Sequence, residues 1–203
     1  RSPKEISISV MGGVNFYNSP VEIFNSKFIN AKSEDALNVF RSPFKISNTL
    51  FKKTFSDAFD ADFSDGTIEN SSFLDIGNDG IDVSGSSVTI NKIEINSAGD
   101  KSISVGEKSQ LVGKNINIKN SRIGIASKDQ SNVEANAINI KNTSIGYALY
   151  QKKPEFGPAY LKIMNQSLDN VEKKYLQDIF DLTDIDEKFI SFMTNYESES
   201  KVK

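Results

Sequence analysis

The pentapeptide Asp35-Ala-Leu-Asn-Val39 recurs 22 residues later as Asp57-Ala-Phe-Asp-Ala61, and after another 22 residues as Asp79-Gly-Ile-Asp-Val83. Three further segments with the same period and a similar pattern begin at Lys101, Ile123 and Ile145. In all six segments the second residue is small and the third is large and apolar. Apolar residues spaced two apart predict strands with one buried face. The fixed period predicts a repeat architecture.

A second apolar column marks the other side of each repeat. Its members are Phe51, Phe73, Ile95, Ile118 and Ile140. Asn, Asp, Ser and Gly separate the short β-branched runs, which is typical of strands joined by tight turns. The Leu-x-x-Leu-x-Leu signature of leucine-rich repeats is absent from the sequence. We therefore predict an all-β solenoid, a right-handed parallel β-helix of about 6–8 coils with a 22-residue period.

The composition excludes several kinds of chemistry. The 203 residues include no His and no Cys, so a Ser-His-Asp triad, a Cys-His pair, a Cys/His zinc site and a disulfide are all excluded. The net charge of -3 argues against a broad nucleic-acid-binding surface. No apolar run approaches the roughly 18 residues that a membrane span requires. Any catalysis must use Asp, Glu, Lys, Arg, Tyr or Ser.

The last part of the chain changes character. Residues 1–166 are predicted to form the β-helix, and residues 167–203 a helical segment that caps its C-terminal coil. The helix prediction rests on apolar residues spaced three or four apart, namely Val171, Tyr175, Ile179, Leu182, Ile185, Phe189 and Met193. A partner-binding helix, or further strands within 175–190, are the alternatives. Because the sequence begins at Arg1, we also expect other domains to flank it in a full-length protein.

Acidic residues stack on the first three clear coils, which follow a partial coil over Ile6 to Phe16. In a parallel β-helix, residues 22 apart lie about 4.8 Å apart on neighbouring coils. Carboxylates at that distance repel each other by roughly 3 to 4 kcal/mol at an effective dielectric of 20. A hard cation such as calcium relieves this repulsion through oxygen ligands. The predicted calcium ligands are Asp57, Asp60, Asp62 and Asp82.

Basic residues continue the same columns on later coils. Lys101 follows Asp79 in its column, and Lys128 follows Asp62 after two further coils. A lysine of lowered pKa removes the proton next to a uronate carboxylate that calcium holds, which is the chemistry of a polysaccharide lyase. The predicted catalytic residues are Lys101, Lys128, Asp79 and Asp100. The predicted substrate-binding residues are Glu107, Asp129, Tyr150 and Lys152.

A structural role is the alternative for the aspartates that begin each segment. Asp35, Asp57 and Asp79 have inward parity unless the small residue after each one bends the strand. Aspartates at coil corners bind backbone N–H groups and form ladders without chemistry. Asp60, Asp62 and Asp82 have outward parity and are better candidates for a site.

The segment Asn78-Asp-Gly-Ile-Asp-Val-Ser-Gly-Ser86, followed by Gly99-Asp-Lys101, resembles the polygalacturonase family of glycoside hydrolases. The coil pattern over residues 6–166 resembles the pectin-lyase-like superfamily of right-handed β-helices to which that family belongs. The resemblance implies that Asp79 holds the attacking water and that Asp100 is the general acid. Lys101 stands where the family has a third aspartate, and the family's Gly-His-Gly has no counterpart near Ser121-Arg-Ile123.

The superfamily also includes calcium-dependent polysaccharide lyases, which combine an aspartate cluster, calcium and a Lys or Arg base. From the residues and this resemblance we predict a secreted or cell-surface protein that binds or cleaves an anionic, uronate-type polysaccharide. A calcium-dependent lyase is the enzyme class favoured. The alternatives are a non-catalytic binding, adhesin or structural module, and an inverting hydrolase of the polygalacturonase type.

Overall fold

The computed structural model describes residues 11–177 and 182–185, and its regular elements are all strands. The strands are β1 (Gly12–Tyr17), β2 (Val21–Phe24), β3 (Lys27–Ile29), β4 (Asp35–Phe40), β5 (Phe44–Ser47), β6 (Leu50–Thr54), β7 (Asp57–Asp62), β8 (Asp65–Ile76), β9 (Ile81–Ser84), β10 (Ser87–Ala98), β11 (Lys101–Gly106), β12 (Gln110–Lys119), β13 (Ile123–Lys128), β14 (Asn132–Tyr150), β15 (Tyr160–Gln177) and β16 (Leu182–Ile185). All of the strand pairs among them are parallel, which confirms the predicted parallel β-solenoid.

The strands stack into three faces. Face A consists of β1, β4, β7, β9, β11 and β13, followed by the last parts of β14 and β15. Face B begins with β2 and β5, and face C with β3 and β6; the longer strands β8, β10 and β12 then run from face B into face C. From β4 to β14, neighbouring rungs of face A pair residues 22 apart, as in Leu37 opposite Phe59, so the sequence period is the coil length there. The first pair, β1 with β4, is 23 residues apart and the last, β14 with β15, is 28 apart.

The interior of the solenoid contains the two apolar columns seen in the sequence. The column of face A holds Leu37, Phe59, Ile81, Ile103, Ile125 and Tyr147, all fully buried. On face C, the rings of Phe28, Phe51 and Phe73 stack at 4.8 Å between successive centroids. Each buried ring of this size contributes on the order of 2 to 3 kcal/mol of hydrophobic free energy.

Close coil contacts explain the column of small residues at the start of each face A strand. A Cβ added to Gly80 would lie 2.6 Å from the carbonyl oxygen of Ser102, and one added to Gly124 would lie 2.4 Å from that of Gly146. The backbone of one coil passes directly over the next at this corner. At Gly80 and Gly124 this crowding leaves no room even for the Cβ of alanine, and the other positions of the column are occupied only by Ala, Ser or Gly.

Serine side chains satisfy the backbone at the corner between faces A and B. The N–H of Ser42 donates to Oγ of Ser64 at 3.0 Å, and the N–H of Ser64 donates to Oγ of Ser86 at 2.9 Å. The N–H of Ser86 in turn donates to Oγ of Ser109 at 3.0 Å. Since an unpaired buried N–H is costly, this ladder explains the serines at a spacing of 22 or 23.

The helix predicted for residues 167–203 is wrong for its first part. β15 continues to Gln177 and pairs with β14, placing Val171 opposite Thr143 and Tyr175 opposite Tyr147. The two tyrosine rings stack at 5.6 Å, and β16 adds a further parallel rung on face B. A spacing of four residues places side chains on one side of a strand as well as of a helix, so the pattern did not separate the two. Residues 178–181 and 186–203 of the predicted cap lie outside the described residues.

Within the described residues, the structure has no helix that is long and apolar enough to cross a membrane.

Candidate functional site on face A

Three columns of side chains run across the outer side of face A. The first contains Asp35, Asp57, Asp79 and Lys101; the middle one contains Asn38, Asp60, Asp82, Ser104, Ala126 and Ala148; and the last contains Phe40, Asp62, Ser84, Gly106, Lys128 and Tyr150. All six acids of these columns lie on the second to fourth coils, and the later coils carry basic, small or aromatic residues. The strand register thus assembles charges that are far apart in sequence.

The first column is a hydrogen-bonded corner ladder. Oδ1 of Asp57 accepts the backbone N–H of Asp79 at 2.8 Å and the side-chain amide of Asn78 at 2.7 Å. Oδ1 of Asp79 accepts the backbone N–H of Lys101 at 2.9 Å. The structural alternative therefore holds for Asp57 and Asp79, which bind the next coil. It does not remove them from the site, because they also lie close to Asp82.

Five aspartates form the acid cluster, which we define as Asp57, Asp60, Asp62, Asp79 and Asp82. One carboxylate oxygen from each of Asp57, Asp79 and Asp82 lies within 4.8 Å of the others. Asp60 is the rung neighbour of Asp82, and its Oδ2 accepts a 2.9 Å hydrogen bond from the amide of Asn38.

A cleft of about 410 Å³ opens over this cluster. The four aspartates predicted to bind calcium, Asp57, Asp60, Asp62 and Asp82, all line it. Glu34 and Asp35 line it too, although they were not among the predicted site residues. Their signal was present in the sequence, since Asp35 precedes Asp57 by one coil length.

Burial and mutual repulsion make these carboxyl groups hold protons. Burial, followed by repulsion from Asp62 and Asp82, raises the pKa of Asp60 to about 9. Burial together with repulsion from Asp57 raises the pKa of Asp35 to about 7. Burial and the charge of Asp82 raise the pKa of Asp79 to about 6, although Lys101 opposes the increase. Near neutral pH, the cluster is therefore partly protonated or neutralised by a cation.

Lys101 lies in a network of ion pairs rather than in an open cleft. Its Nζ lies 3.2 Å from Oδ2 of Asp79 and donates to Asp100, and Asp100 also pairs with Nη1 of Arg122 at 3.0 Å. Burial favours a lower pKa for the lysine, but Asp79 and Asp100 outweigh it and the pKa of Lys101 rises above its ordinary value. A base needs the opposite shift, so this geometry argues against the predicted role of Lys101.

Lys128 lies flat on face A and points back toward the acid cluster. Its Cε would be 3.2 Å from a Cβ added to Gly106, so the missing side chain of Gly106 makes room for it. Its Nζ reaches 3.8 Å from Oδ1 of Asp82, while its side chain is only 9% exposed. That oxygen of Asp82 and the buried Oγ of Ser104 have no hydrogen-bond partner among the described residues.

The predicted substrate-binding residues fall into two groups. Asp129 and Glu107 hold the segment 151–159: Oδ1 of Asp129 accepts the N–H groups of Lys152 and Lys153 at 2.6 and 2.8 Å, and Glu107 pairs with Lys153. These contacts give Asp129 and Glu107 a structural role. The side chain of Lys152 is exposed, and Tyr150 is partly buried beside Lys128 in the last column. Tyr150 therefore lies on the side of the site, whereas Asp129 and Glu107 are held by the segment 151–159.

An aromatic edge borders the cleft and was not predicted as part of the site. The rings of Tyr17 and Phe40 stack at 5.6 Å, and Phe63 meets Phe40 edge-on at 5.8 Å. Tyr17 and Phe40 line the same cleft as the acid cluster. The signal available in the sequence was the aromatic residue at intervals of 23 at positions 17, 40 and 63.

Comparisons with known proteins identify no family for this chain. No family model and no curated protein match the sequence. Among solved structures, the chain is similar to a polygalacturonase from Erwinia carotovora ssp. carotovora, at 13% identity and a TM-score of 0.45, covering 84% of this chain and 57% of that one. It is also similar to the catalytic domain of a GH87 alpha-1,3-glucanase in complex with nigerose, at 14% identity and a TM-score of 0.32, covering 86% of this chain and 48% of that one. The parallel β-helix of this chain is established by its own strand register.

Proposed function

We propose that face A binds an acidic polysaccharide through a divalent cation, calcium in particular, held by the acid cluster. The observation that carries this proposal is the approach of Asp57, Asp79 and Asp82, each with one oxygen within 4.8 Å of the others, beside an open cleft. Carboxylate oxygens at such separations are the ligands that calcium prefers.

The electrostatics of the cluster support a cation. Asp57, Asp60, Asp62 and Asp79 have pKa values raised first by burial and then, in part, by neighbouring acids. A bound cation replaces the protons that otherwise neutralise these groups. The unpartnered Oδ1 of Asp82 supports the same conclusion, since a buried carboxylate oxygen without a donor is costly.

The cleft supports an extended acidic ligand. Without a cation, the acid cluster repels uronate carboxylates; with one, the remaining coordination positions can be filled by a carboxylate of the ligand. The cleft is open along face A, and Tyr17 and Phe40 give it an apolar side on which a sugar ring can pack. Such a polysaccharide agrees with our expectation of a secreted or cell-surface protein.

Binding without lyase chemistry is favoured over cleavage. The ion pairs of Lys101 raise its pKa, and Lys128 is buried beside Asp82, so neither lysine presents a free amine to the cleft. One observation favours hydrolysis as a second candidate. Asp60, with a pKa of about 9, carries the proton that a general acid must donate, next to other carboxyl groups.

Binding and cleavage are tested together on the whole chain. An oligogalacturonate is titrated into the protein by calorimetry in calcium and then in chelator, with the carboxyl-reduced oligomer as a neutral control. We expect binding of the acidic oligomer that is lost in chelator and at least tenfold weaker in Asp57→Ala/Asp82→Ala. The matched control is Glu94→Gln, an exposed acid on face C.

The same mixtures are read for ultraviolet absorbance of unsaturated products and for reducing ends. Neither signal is expected from a binding protein. New ultraviolet absorbance would show that the protein is a lyase, and new reducing ends without absorbance would show that it is a hydrolase. Equal affinity in calcium and chelator would contradict the cation-bridged proposal.

A further inference from the structure

The aromatic edge of the cleft carries an arginine that no acid neutralises. The guanidinium carbon of Arg41 lies 5.3 Å from the ring centroid of Phe40 and 5.9 Å from that of Phe63. Arg41 is exposed, and no described residue accepts a hydrogen bond from its guanidinium or forms an ion pair with it. Several lysines, such as Lys53 and Lys92, also form no ion pair with a described residue, but Arg41 is the cation that lies over the rings of the aromatic edge.

The corner beside the aromatic edge has a left-handed backbone conformation on successive coils. Equivalent corner positions on four successive coils are Asn18, Arg41, Phe63 and Gly85, and all have positive φ, from 49° to 61°. Asn and Gly adopt that conformation readily, whereas Arg and Phe rarely do. Gly85 also seats the neighbouring ring, because a Cβ there would lie 2.7 Å from Cδ1 of Phe63. Glu107 and Asp129 continue this column with a φ of 55°, so the positive φ is the geometry of the corner, and it places Arg41 and Phe63 side by side at the edge of face A.

We infer that Tyr17, Phe40, Phe63 and Arg41 form a second subsite for one acidic sugar residue of the same polysaccharide. The exposed aromatic rings offer apolar faces to the sugar ring, and Phe63 and Tyr17 are 56% and 43% exposed. The guanidinium supplies the planar, two-pronged donor that matches a carboxylate. This subsite rests on the proposed function for its ligand, but its recognition of carboxylate needs no cation.

The two subsites lie at different positions along the same strands. The cation site includes Asp82, the rung neighbour of Asp60 in β7, and Phe63 lies three residues after Asp60, about 10 Å at the rise of an extended strand. A single sugar residue cannot span that distance. The ligand that engages both subsites is therefore an oligosaccharide lying along the strands of face A, with one carboxylate at the cation and another at Arg41.

The test uses affinity for an oligogalacturonate in calcium, measured by calorimetry on the full chain. Arg41→Met is expected to weaken binding five- to tenfold, and Arg41→Lys to recover only part of the loss because it lacks the planar fork. Phe63→Asn is expected to weaken binding without lowering the thermal midpoint, because Asn tolerates the positive φ. Lys45→Met, which removes one exposed positive charge on face B, is the matched control.

Each outcome decides the subsite separately from the cation site. Wild-type affinity in Arg41→Met and Phe63→Asn would overturn the subsite and leave the cation-bridged proposal standing. If the wild type shows no calcium-dependent binding, the cation proposal fails. The subsite is then judged by the NMR signal of the Arg41 side chain during titration in chelator, where a shift supports it and no shift overturns it. If sedimentation shows that the wild type is a dimer and that Arg41→Met dissociates it, this surface binds a second copy of the chain, which would also overturn the inference.

Discussion

The two halves of face A share one backbone and treat their charges in opposite ways. On the second to fourth coils, Asp60 and Asp62 line an open cleft and their pKa values are raised. On the later coils, Lys101 is paired with Asp79 and Asp100, and Lys128 lies buried over Gly106. The lysines of the later half pair with Asp79, Asp82 and Asp100. Asp35, Asp60 and Asp62 of the earlier half form no ion pair with a described residue and need protons, a cation or a ligand. Function is therefore expected where the fold leaves charge uncompensated.

The largest effect is expected from breaking the ion pairs of the later half with Lys101→Met. Asp79, whose side chain is 3% exposed, then loses its ammonium partner at 3.2 Å. Removing one partner of a buried pair costs about 3 to 5 kcal/mol. The loss should be smaller at pH 5 than at pH 8, because protonation of Asp79 relieves its unpaired charge. Urea denaturation at both pH values measures this, and a loss below about 1 kcal/mol at pH 8 would show that the pair does not stabilise the fold.

The next effect concerns the carboxyl groups of Asp35, Asp60 and Asp79, whose raised pKa values make the stability of the wild-type protein depend on pH. Asp35, Asp60 and Asp79 have folded pKa values of about 7, 9 and 6, above the ordinary value of 3.8. From about pH 4 to pH 9 the folded state therefore binds more protons than the unfolded state, and stability falls as pH rises. In chelator, the thermal midpoint should decrease steadily from pH 5 to pH 8.5.

Asp60→Asn is the matched variant for this trend. It keeps an acceptor for Asn38 but removes the charge, so it should stabilise the protein by about 1 to 3 kcal/mol at pH 8.5 and have little effect at pH 5. Thermal unfolding of both proteins across the pH range measures the difference. A wild-type thermal midpoint that rises with pH, or destabilisation by Asp60→Asn at pH 8.5, would contradict the claim that the charge of the acid cluster is uncompensated.

A smaller effect is expected at the boundary between the halves. The Nζ of Lys128 is 3.8 Å from Oδ1 of Asp82 and competes with a cation for that oxygen. Lys128→Met should therefore increase calcium affinity by roughly three- to tenfold at low salt, and less at high salt. Calorimetry at two ionic strengths would test this. Weaker calcium binding in Lys128→Met would mean that the lysine organises the site instead of opposing the cation.

The 22-residue period predicted the coils, the buried columns and the acids that share face A. It did so because residues one period apart in a solenoid lie next to each other on neighbouring coils. It did not predict the contacts that depend on side-chain direction. The corner ladder of Asp57 and Asp79 is one of the two interpretations that the sequence left open. The sequence did not predict that both residues also reach Asp82, or that Lys101 turns toward Asp79 and Asp100. These arrangements depend on the bend at each corner and on lysine rotamers, which the repeat does not encode.

Two other differences have simple physical origins. The sequence predicts a helix where β15 continues to Gln177, because apolar residues four apart fit both a strand and a helix. The aromatic edge is not predicted because Phe63 does not belong to the column of Tyr17 and Phe40: the register places Asp62 opposite Phe40, and Phe63 follows Asp62 at the corner. Both features became visible only once strand pairing was known.

The most direct test of the central claim is a calcium titration of the wild-type chain by calorimetry at pH 6, repeated in buffers of different ionisation enthalpy. We predict binding accompanied by proton release, because the carboxyl groups of Asp57 and Asp79 have raised pKa values and must lose their protons to coordinate the ion. Asp57→Ala/Asp82→Ala should abolish this heat, and Glu94→Gln should retain it. No heat in the wild type in any buffer, or equal heat in the double variant, would contradict a cation site on face A.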